Sequence, residues 1–325
     1  MLENMLKKCL EGAGISPEDA LKISAVGHDG LYGLLSATDG VRRRFKGVEI
    51  NLCSIVNAKS GLCREDCSFC SQSIKYSTNI PAYPMKPAAE IASAAKEAAL
   101  KGVREFSVVA SGTRIEKDSD IETLSEALSL MKQGAQVERC ASLGMLKRDS
   151  LMKLKDAGLQ SYHHNLETSA SFFPRICTTH KYEEDLEVVR TAKGLGLYVC
   201  SGGIFGLGEG WRDRIELAFT LKGLDVDSIP INFLNPRPGT PLEGADFLTP
   251  IECLKIIAVF RLIMPEKDIV VCGGRQVNLR DLQGLVFAAG ANGIMTGNCL
   301  TTQGRPPEED LKMIEDLGLK PRGGV

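Results

Sequence analysis

Eight short runs rich in β-branched residues recur along the chain, separated by stretches of helical periodicity. This alternation limits the possible folds more than any other feature. The candidate strands are Glu49–Val56, Arg104–Ala110, Gln136–Ala141, Leu159–Glu167, Leu197–Phe205, Asp227–Phe233, Asp268–Cys272 and Asn292–Gly297. Amphipathic stretches lie between them at Ala88–Lys101, Ile121–Lys132, Glu183–Leu195, Trp211–Leu224 and Pro250–Met264. Gly102, Gly194 and Gly223 stand at helix ends, where glycine commonly closes a helix. Strands alternating with helices make a parallel sheet, and eight such units are expected to close into an α/β (β/α)8 TIM barrel. Residues 1–46 are expected to form a helical N-terminal extension, with Ser16-Pro17-Glu18-Asp19 opening a helix. The barrel with its C-terminal helical region is assigned to residues 47–320, and residues 321–325 to a frayed tail.

A barrel of this class carries its chemistry at the C-terminal ends of the strands and in the loops that follow. Directly after the first candidate strand stands Cys63-Arg-Glu-Asp-Cys67-Ser-Phe-Cys70, a C-x₃-C-x₂-C triplet compact enough to wrap one metal cluster. Zinc would want a fourth ligand, and the next cysteine is Cys140. A [4Fe–4S] cluster on three thiolates keeps one iron open, as needed to bind the amino and carboxylate groups of S-adenosylmethionine (SAM). Three unrelated buried cysteines would be the bland alternative, but that spacing on that loop argues against it. Phe69, just before the last cysteine, also fits the radical SAM pattern.

Composition sets the setting for this chemistry. The formal net charge is −2, from 39 basic and 41 acidic residues, with no long basic block, so nucleic acid and acidic membrane surfaces are not expected partners. The N-terminal MLENMLKKCLEGAG is too polar for a secretory signal. The longest apolar stretch, Ile256 to Met264, is broken by Arg261 and is too short to span a bilayer. A cytoplasmic location is therefore expected, where eleven cysteines are better read as ligands or redox groups than as a disulfide framework.

Longer strings narrow the reading. They are Asn57-Ala-Lys-Ser-Gly-Leu-Cys63, Tyr162-His-His-Asn-Leu-Glu-Thr168, Cys200-Ser-Gly-Gly-Ile-Phe-Gly-Leu-Gly-Glu209, Asp227-Ser-Ile-Pro-Ile-Asn-Phe-Leu234, Gly239-Thr-Pro-Leu242, Gly273-Gly-Arg275 and Leu300-Thr-Thr302. In this order, over residues 50 to 320, the chain resembles the biotin synthase family of radical SAM enzymes. The resemblance implies reductive cleavage of SAM to methionine and a 5′-deoxyadenosyl radical, which takes hydrogen from dethiobiotin. The substrate radical then captures sulfide from an auxiliary iron–sulfur cluster, and a second SAM closes the ring. It also implies a homodimer and a low-potential electron donor of flavodoxin or ferredoxin type. Carried over by position, Phe69, Asn165, Glu167 and Ile204 look like SAM contacts, Asn165 and Glu167 on the ribose. His163, Asn165 and Asn232 look like substrate contacts, Asn232 on the ureido ring, with Thr301 and Thr302 on the carboxylate. Amides suit a urea, and hydroxyls with backbone N–H groups suit a carboxylate. The glycines Gly202, Gly203, Gly206 and Gly208 read as a strand end where a ligand nears the backbone, not as a dinucleotide loop.

The departures gather at the sulfur donor. The family holds a [2Fe–2S] cluster with three cysteines and an arginine. Cys140 and Cys200 match two of the cysteines, but the third falls on Ser107 and the arginine on Val270. Cys272, two residues past Val270, faces the same side of its strand. Cys140, Cys200 and Cys272 are therefore expected to hold a four-iron cluster with one iron lacking a protein thiolate and carrying the extra sulfide. Cys177, His163 or Cys299 remain open as a fourth ligand. His163 replaces an asparagine and Glu167 an aspartate. Asp185 stands where an arginine usually pairs with the SAM carboxylate, leaving Arg175, Lys181 or Arg190 as substitutes. Cys9, Cys53 and Cys253 read as structural, His28 and His180 as ordinary polar residues, and His164 as a strand-end hydrogen bonder. Three rivals carry other chemistry: a hydrogenase maturase of similar architecture, an enzyme using its second cluster only for electron transfer, and a non-catalytic iron–sulfur scaffold or redox sensor.

Overall fold

The computed structural model describes residues 2–323. Among these residues ten strands are present: β1 (Glu49–Lys59), β2 (Glu105–Ala110), β3 (Glu138–Ser142), β4 (Ser161–His163), β5 (Tyr198–Cys200), β6 (Gly203–Phe205), β7 (Ser228–Phe233), β8 (Asp268–Val271), β9 (Gly293–Met295) and β10 (Lys320–Pro321). The helices are α1 (Leu2–Leu10), α2 (Pro17–Ser24), α3 (His28–Lys46), α4 (Ala88–Leu100), α5 (Asp118–Gly134), α6 (Arg148–Asp156), α7 (Tyr182–Gly194), α8 (Trp211–Gly223), α9 (Pro250–Ile263), α10 (Arg275–Leu279), α11 (Leu285–Ala288) and α12 (Pro307–Asp316).

All neighbouring strands run parallel, and β1 pairs with both β2 and β9, which closes the barrel. Each of the eight strand expectations falls on an observed strand, with two changes of outline. The run 159–167 pairs as a strand only over Ser161–His163, with an isolated bridge further on between Glu167 and Gly203. The run 197–205 breaks into β5 and β6, which together make the fifth barrel stave. Gly202 and Gly203 explain the break. A Cβ on Gly202 would lie 2.1 Å from the Pro230 carbonyl oxygen, and one on Gly203 would lie 2.4 Å from that of Glu167. The glycine pair thus allows close backbone packing between staves.

The N-terminal helices pack onto α8 and α9. Ser16 caps α2 by accepting from the Asp19 N–H at 3.2 Å, with Pro17 in the first turn. The expected loose end begins later than residue 321. Lys320 and Pro321 pair with Glu49 and Ile50, and the Arg322 N–H donates to the Ile50 carbonyl at 2.8 Å. Gly324 and Val325 lie outside the described residues.

The register fixes which side chains share a level inside the barrel. In a closed, tilted barrel, each level is filled from alternate strands. Cys53 pairs with Glu105, which pairs with Glu138, two residues before Cys140. Cys140 pairs with Ser161, which pairs with Tyr198, two residues before Cys200. Cys200 leads through Ser228 to Asp268, two before Val270, and Val270 leads through Gly293 to Asn51, two before Cys53. One level therefore consists of Cys53, Cys140, Cys200 and Val270. The same count puts Ser107, His163, Pro230 and Met295 on the next level.

Candidate active site

Two cavities open toward the C-terminal ends of the strands. The outer one, about 240 Å³, is bounded by Cys63, Cys67 and Cys70. The inner one, about 220 Å³, runs down the barrel axis. His163, Asn165 and Glu167 line both, together with Val109, Ser142 and Leu300. These residues are the common wall between the two chambers.

The outer chamber begins where β1 ends. Gly61 and Leu62 both take left-handed backbone, with φ of 73° and 58°, and turn the chain into the cysteine loop. The loop closes on itself: the Cys63 N–H donates to the Gln72 carbonyl at 3.0 Å and the Cys70 N–H to that of Cys67 at 2.9 Å. Phe69 lines this chamber beside the cysteines. Ile204 does not line it. It packs with Phe69 against Phe172, Ile176, Leu207 and Leu234, and its N–H donates to the Glu167 carbonyl at 2.8 Å.

A half-buried chain of histidines and carboxylates forms the far side of this chamber. Asp185 faces His164 Nε2 at 2.8 Å and His180 Nε2 at 3.2 Å, while His180 Nδ1 meets Glu65 at 2.7 Å. Burial works against a charge on His180, but hydrogen bonds to Asp185, Cys177 and Glu65 outweigh it and hold its pKa up at about 11. Burial likewise opposes ionisation of Asp185, and its two histidine partners still bring its pKa below the ordinary value. None of the three residues expected to substitute for the missing arginine lines the chamber. Arg175, Lys181 and Arg190 are all exposed, and no lysine or arginine lines the chamber. His180, read as an ordinary polar residue, is the strongly held cation there.

At the common wall, hydrogen-bond roles can be assigned. The Gly202 N–H donates to Asn165 Oδ1 at 3.2 Å, which fixes the amide orientation. His163 Nε2 lies 2.9 Å from the same oxygen and must carry the proton. Asn165 Nδ2 donates to Glu167 at 3.4 Å. Burial pushes His163 down to about 4, so its ring is neutral. Glu167 has a left-handed backbone, φ 62°, a strained conformation for a non-glycine residue. Burial, with Asp185 nearby, pushes its carboxyl up to about 8.

The inner chamber is lined by Cys140, Cys200 and Cys272, as expected, and by Ser107 and Val270 where the family ligands are lost. Two further cysteines join them. Cys53, read as structural, lines the chamber as Cys272 does. Cys299 reaches it from the loop after β9. Cys177 does not belong here: it sits in the outer chamber, 3.3 Å from both Asp66 and His180, which removes it as a ligand for an inner cluster. Only Cys9 and Cys253 keep the structural reading, buried among helix contacts. The donor set fits an iron–sulfur group. Cysteine thiols converge, no lysine or arginine intrudes, and the buried Ser107 hydroxyl has no hydrogen-bond partner.

Asn232 lines the inner chamber with its amide fixed by backbone: Nδ2 donates to the Gly203 carbonyl at 3.2 Å, and Oδ1 accepts from the Gly273 N–H at 2.9 Å. Thr301 and Thr302 do not line it. Thr301 lies 3.3 Å from the Ser71 hydroxyl, while Thr302 faces an adjoining pocket that shares Cys272, Met295 and Cys299. Glu105, unremarked in the sequence, is a carboxyl at the inner chamber, held by Asn51 and pushed up to about 7 by burial.

A closed parallel barrel with a three-cysteine loop at its mouth, facing a histidine–carboxylate wall, is the architecture of a radical SAM enzyme. A family model for the radical SAM superfamily matches residues 59–221, and one for the Biotin and Thiamin Synthesis associated domain matches residues 230–320. A biotin synthase from Geobacter sulfurreducens is 49% identical over 320 residues, covering 98% of this chain and 97% of the relative. One from Anaeromyxobacter sp. is 52% identical over 301 residues, covering 92% and 82%. The chain belongs to the biotin synthase family and is a radical SAM sulfurtransferase. Among solved structures, methylornithine synthase matches with a TM-score of 0.86 at 22% identity, covering 98% of this chain and 97% of that one. The hydrogenase maturase HydG from Carboxydothermus hydrogenoformans matches at 0.83 and 17%, covering 98% and 79%. At such identities these two likenesses speak for the fold alone. No helix of the described residues is long and apolar enough to cross a membrane.

Proposed function

We propose that this chain converts dethiobiotin to biotin, with sulfur drawn from a four-iron auxiliary centre that carries one extra sulfide. Cys63, Cys67 and Cys70 hold the [4Fe–4S] cluster that supplies the electron for splitting SAM. Phe69 and Ile204 bound the SAM site, and Asn165 and Glu167 take the ribose. Below about pH 8 the protonated Glu167 donates to a ribose oxygen as well as accepting from a hydroxyl. Neutral His163, Asn165 and Asn232 meet the ureido ring, with Thr301 and Thr302 on the carboxylate. Asp185, in the arginine position, keeps His180 charged at the methionine end. Cys140, Cys200 and Cys272 hold the auxiliary centre. The enzyme works in the cytoplasm as a homodimer, fed by a flavodoxin- or ferredoxin-type donor.

The observation that carries this reading is the pair of chambers sharing the wall of His163, Asn165 and Glu167. A substrate lying against that wall touches the SAM side and the thiol-lined side at once. The test is Mössbauer spectroscopy, with iron and sulfide counting, on ⁵⁷Fe protein and on the Cys63/Cys67/Cys70 triple-alanine variant. Four irons with excess sulfide in the variant, and biotin formed by the wild type, support the reading. Two auxiliary irons, or none, refute the four-iron centre.

A further inference from the structure

One cluster of ligand-type side chains belongs to neither cysteine set. Glu65 stands on the cysteine loop between Cys63 and Cys67, while Cys177 and His180 stand on the loop before α7. Hydrogen bonds hold the two loops together: the Ser68 N–H donates to the Ile176 carbonyl at 2.9 Å, and the Thr178 N–H to Asp66 at 2.8 Å. One carboxylate oxygen, one thiol sulfur and one ring nitrogen thereby lie within 4.8 Å of one another. His180 Nδ1 is 3.3 Å from Cys177 Sγ and 2.7 Å from Glu65 Oε2. Donors bound to a tetrahedral ion are roughly 3.3–3.8 Å apart, so this triangle is the right size to within side-chain movement. Little water reaches it: Cys177 is 3% exposed, and the side chains of His180 and Glu65 are 10% and 13% exposed.

We propose that Glu65, Cys177 and His180 bind one divalent ion of the zinc type, separate from both iron–sulfur centres. A thiolate with an imidazole selects such an ion over magnesium or calcium, which want oxygen donors. The far side of His180 is built as a metal-bound histidine requires. Its Nε2 donates to Asp185 at 3.2 Å, and Asp185 accepts in turn from His164 Nε2 at 2.8 Å. A carboxylate in that place fixes the ring and tautomer of a ligating histidine. The ion takes the place of the proton that Nδ1 otherwise turns toward Glu65, and the positive charge at this end of the chamber becomes the ion's. Asp66 Oδ1 is 3.3 Å from the same sulfur but is already engaged by the Thr178 and Thr179 N–H groups. Three protein ligands therefore leave the fourth position to water. The bound ion pins the cysteine loop to the loop before α7. This assignment does not rest on the four-iron reading.

The test uses full-length protein with both iron–sulfur centres reconstituted, treated with chelator and dialysed against Zn²⁺, with iron counted before and after. The wild type should take up one zinc per chain, and zinc X-ray absorption should show one sulfur neighbour, the rest nitrogen and oxygen. Cys177→Ser and His180→Gln should each weaken binding about a hundredfold or more, and Asp185→Asn, which leaves all three ligands, about tenfold to a hundredfold. Cys9→Ser, a buried cysteine outside the cluster, should bind zinc as the wild type does. No zinc retained by the wild type would overturn the assignment. So would two or more sulfur neighbours, which place the zinc on cluster cysteines, or equal affinity in wild type, Cys177→Ser and His180→Gln. The sulfur count is read on the wild type, so it decides the matter even where a variant fails to fold.

Discussion

The outer and inner chambers share a wall but are built in opposite ways. The outer ligands sit within eight consecutive residues on one loop, whose own backbone hydrogen bonds hold them together. Four of the five inner thiols come from separate staves and share one chamber only because the barrel closes with a fixed tilt. A loop motif carries its geometry in its spacing. A level of a barrel carries its geometry in the register of every strand around it. The two should therefore fail independently.

The largest expected effect tests that independence. Replacing Cys63, Cys67 and Cys70 with alanine removes the outer cluster, and 5′-deoxyadenosine formation from SAM and reductant should fall to background, at least about a thousandfold. Far-UV circular dichroism and inner-chamber iron should remain, because no inner cysteine is bonded to that loop. Loss of inner iron along with the outer would show that the chambers are one folding unit and not two.

The next effect belongs to the inner chamber. In the cluster-free protein, burial holds the Glu105 carboxyl up at about 7 against an ordinary value of 4.5. The unfolded chain releases this proton near 4.5, while the native state keeps it until about 7. The unfolded state therefore binds fewer protons in that window, and stability falls as pH rises through it. At 1.36 kcal/mol per pH unit the loss is roughly 3 kcal/mol for this group. Glu105→Gln keeps the acceptor for Asn51 and should remove the loss, so urea unfolding at pH 5 and pH 8 should give wild type and variant different slopes with pH. Equal slopes would mean that the carboxyl is better solvated than its position indicates.

The same contrast explains what could be read in advance. Eight staves, five helices and the cysteine triplet follow from local periodicity and spacing, and they reappear with small shifts. The place of Cys53 in the inner chamber is not legible locally, because its neighbours on the chain, Leu52 and Ser54, say nothing about Cys140 or Cys200. Only the chain of pairings through Glu105, Ser161 and Ser228 puts the three at one level. His180 was missed for a related reason: its charge is created by Glu65 and Asp185, which lie 115 and 5 residues away. Cys177 could be assigned to the wrong chamber because a loop cysteine has no register to place it.

The smallest effect bears most directly on the comparison. Ser107 stands where the family has a cysteine ligand, on an even-numbered stave at the level of His163, Pro230 and Met295. Its buried hydroxyl has no partner, so Ser107→Cys exchanges an unsatisfied polar atom for a small apolar one. Stability should change by about 1 kcal/mol or less, in the stabilising direction, as read by thermal unfolding of the cluster-free protein. More telling is the iron count. If the ligand set belongs to the odd-numbered staves, an added thiol on an even one joins nothing, and the auxiliary centre keeps four irons. A fall to two irons would mean that a single cysteine at position 107 is enough to draw the centre back to the family's smaller cluster. The choice of cluster would then depend on one side chain and not on the level that Cys53, Cys140 and Cys200 form together.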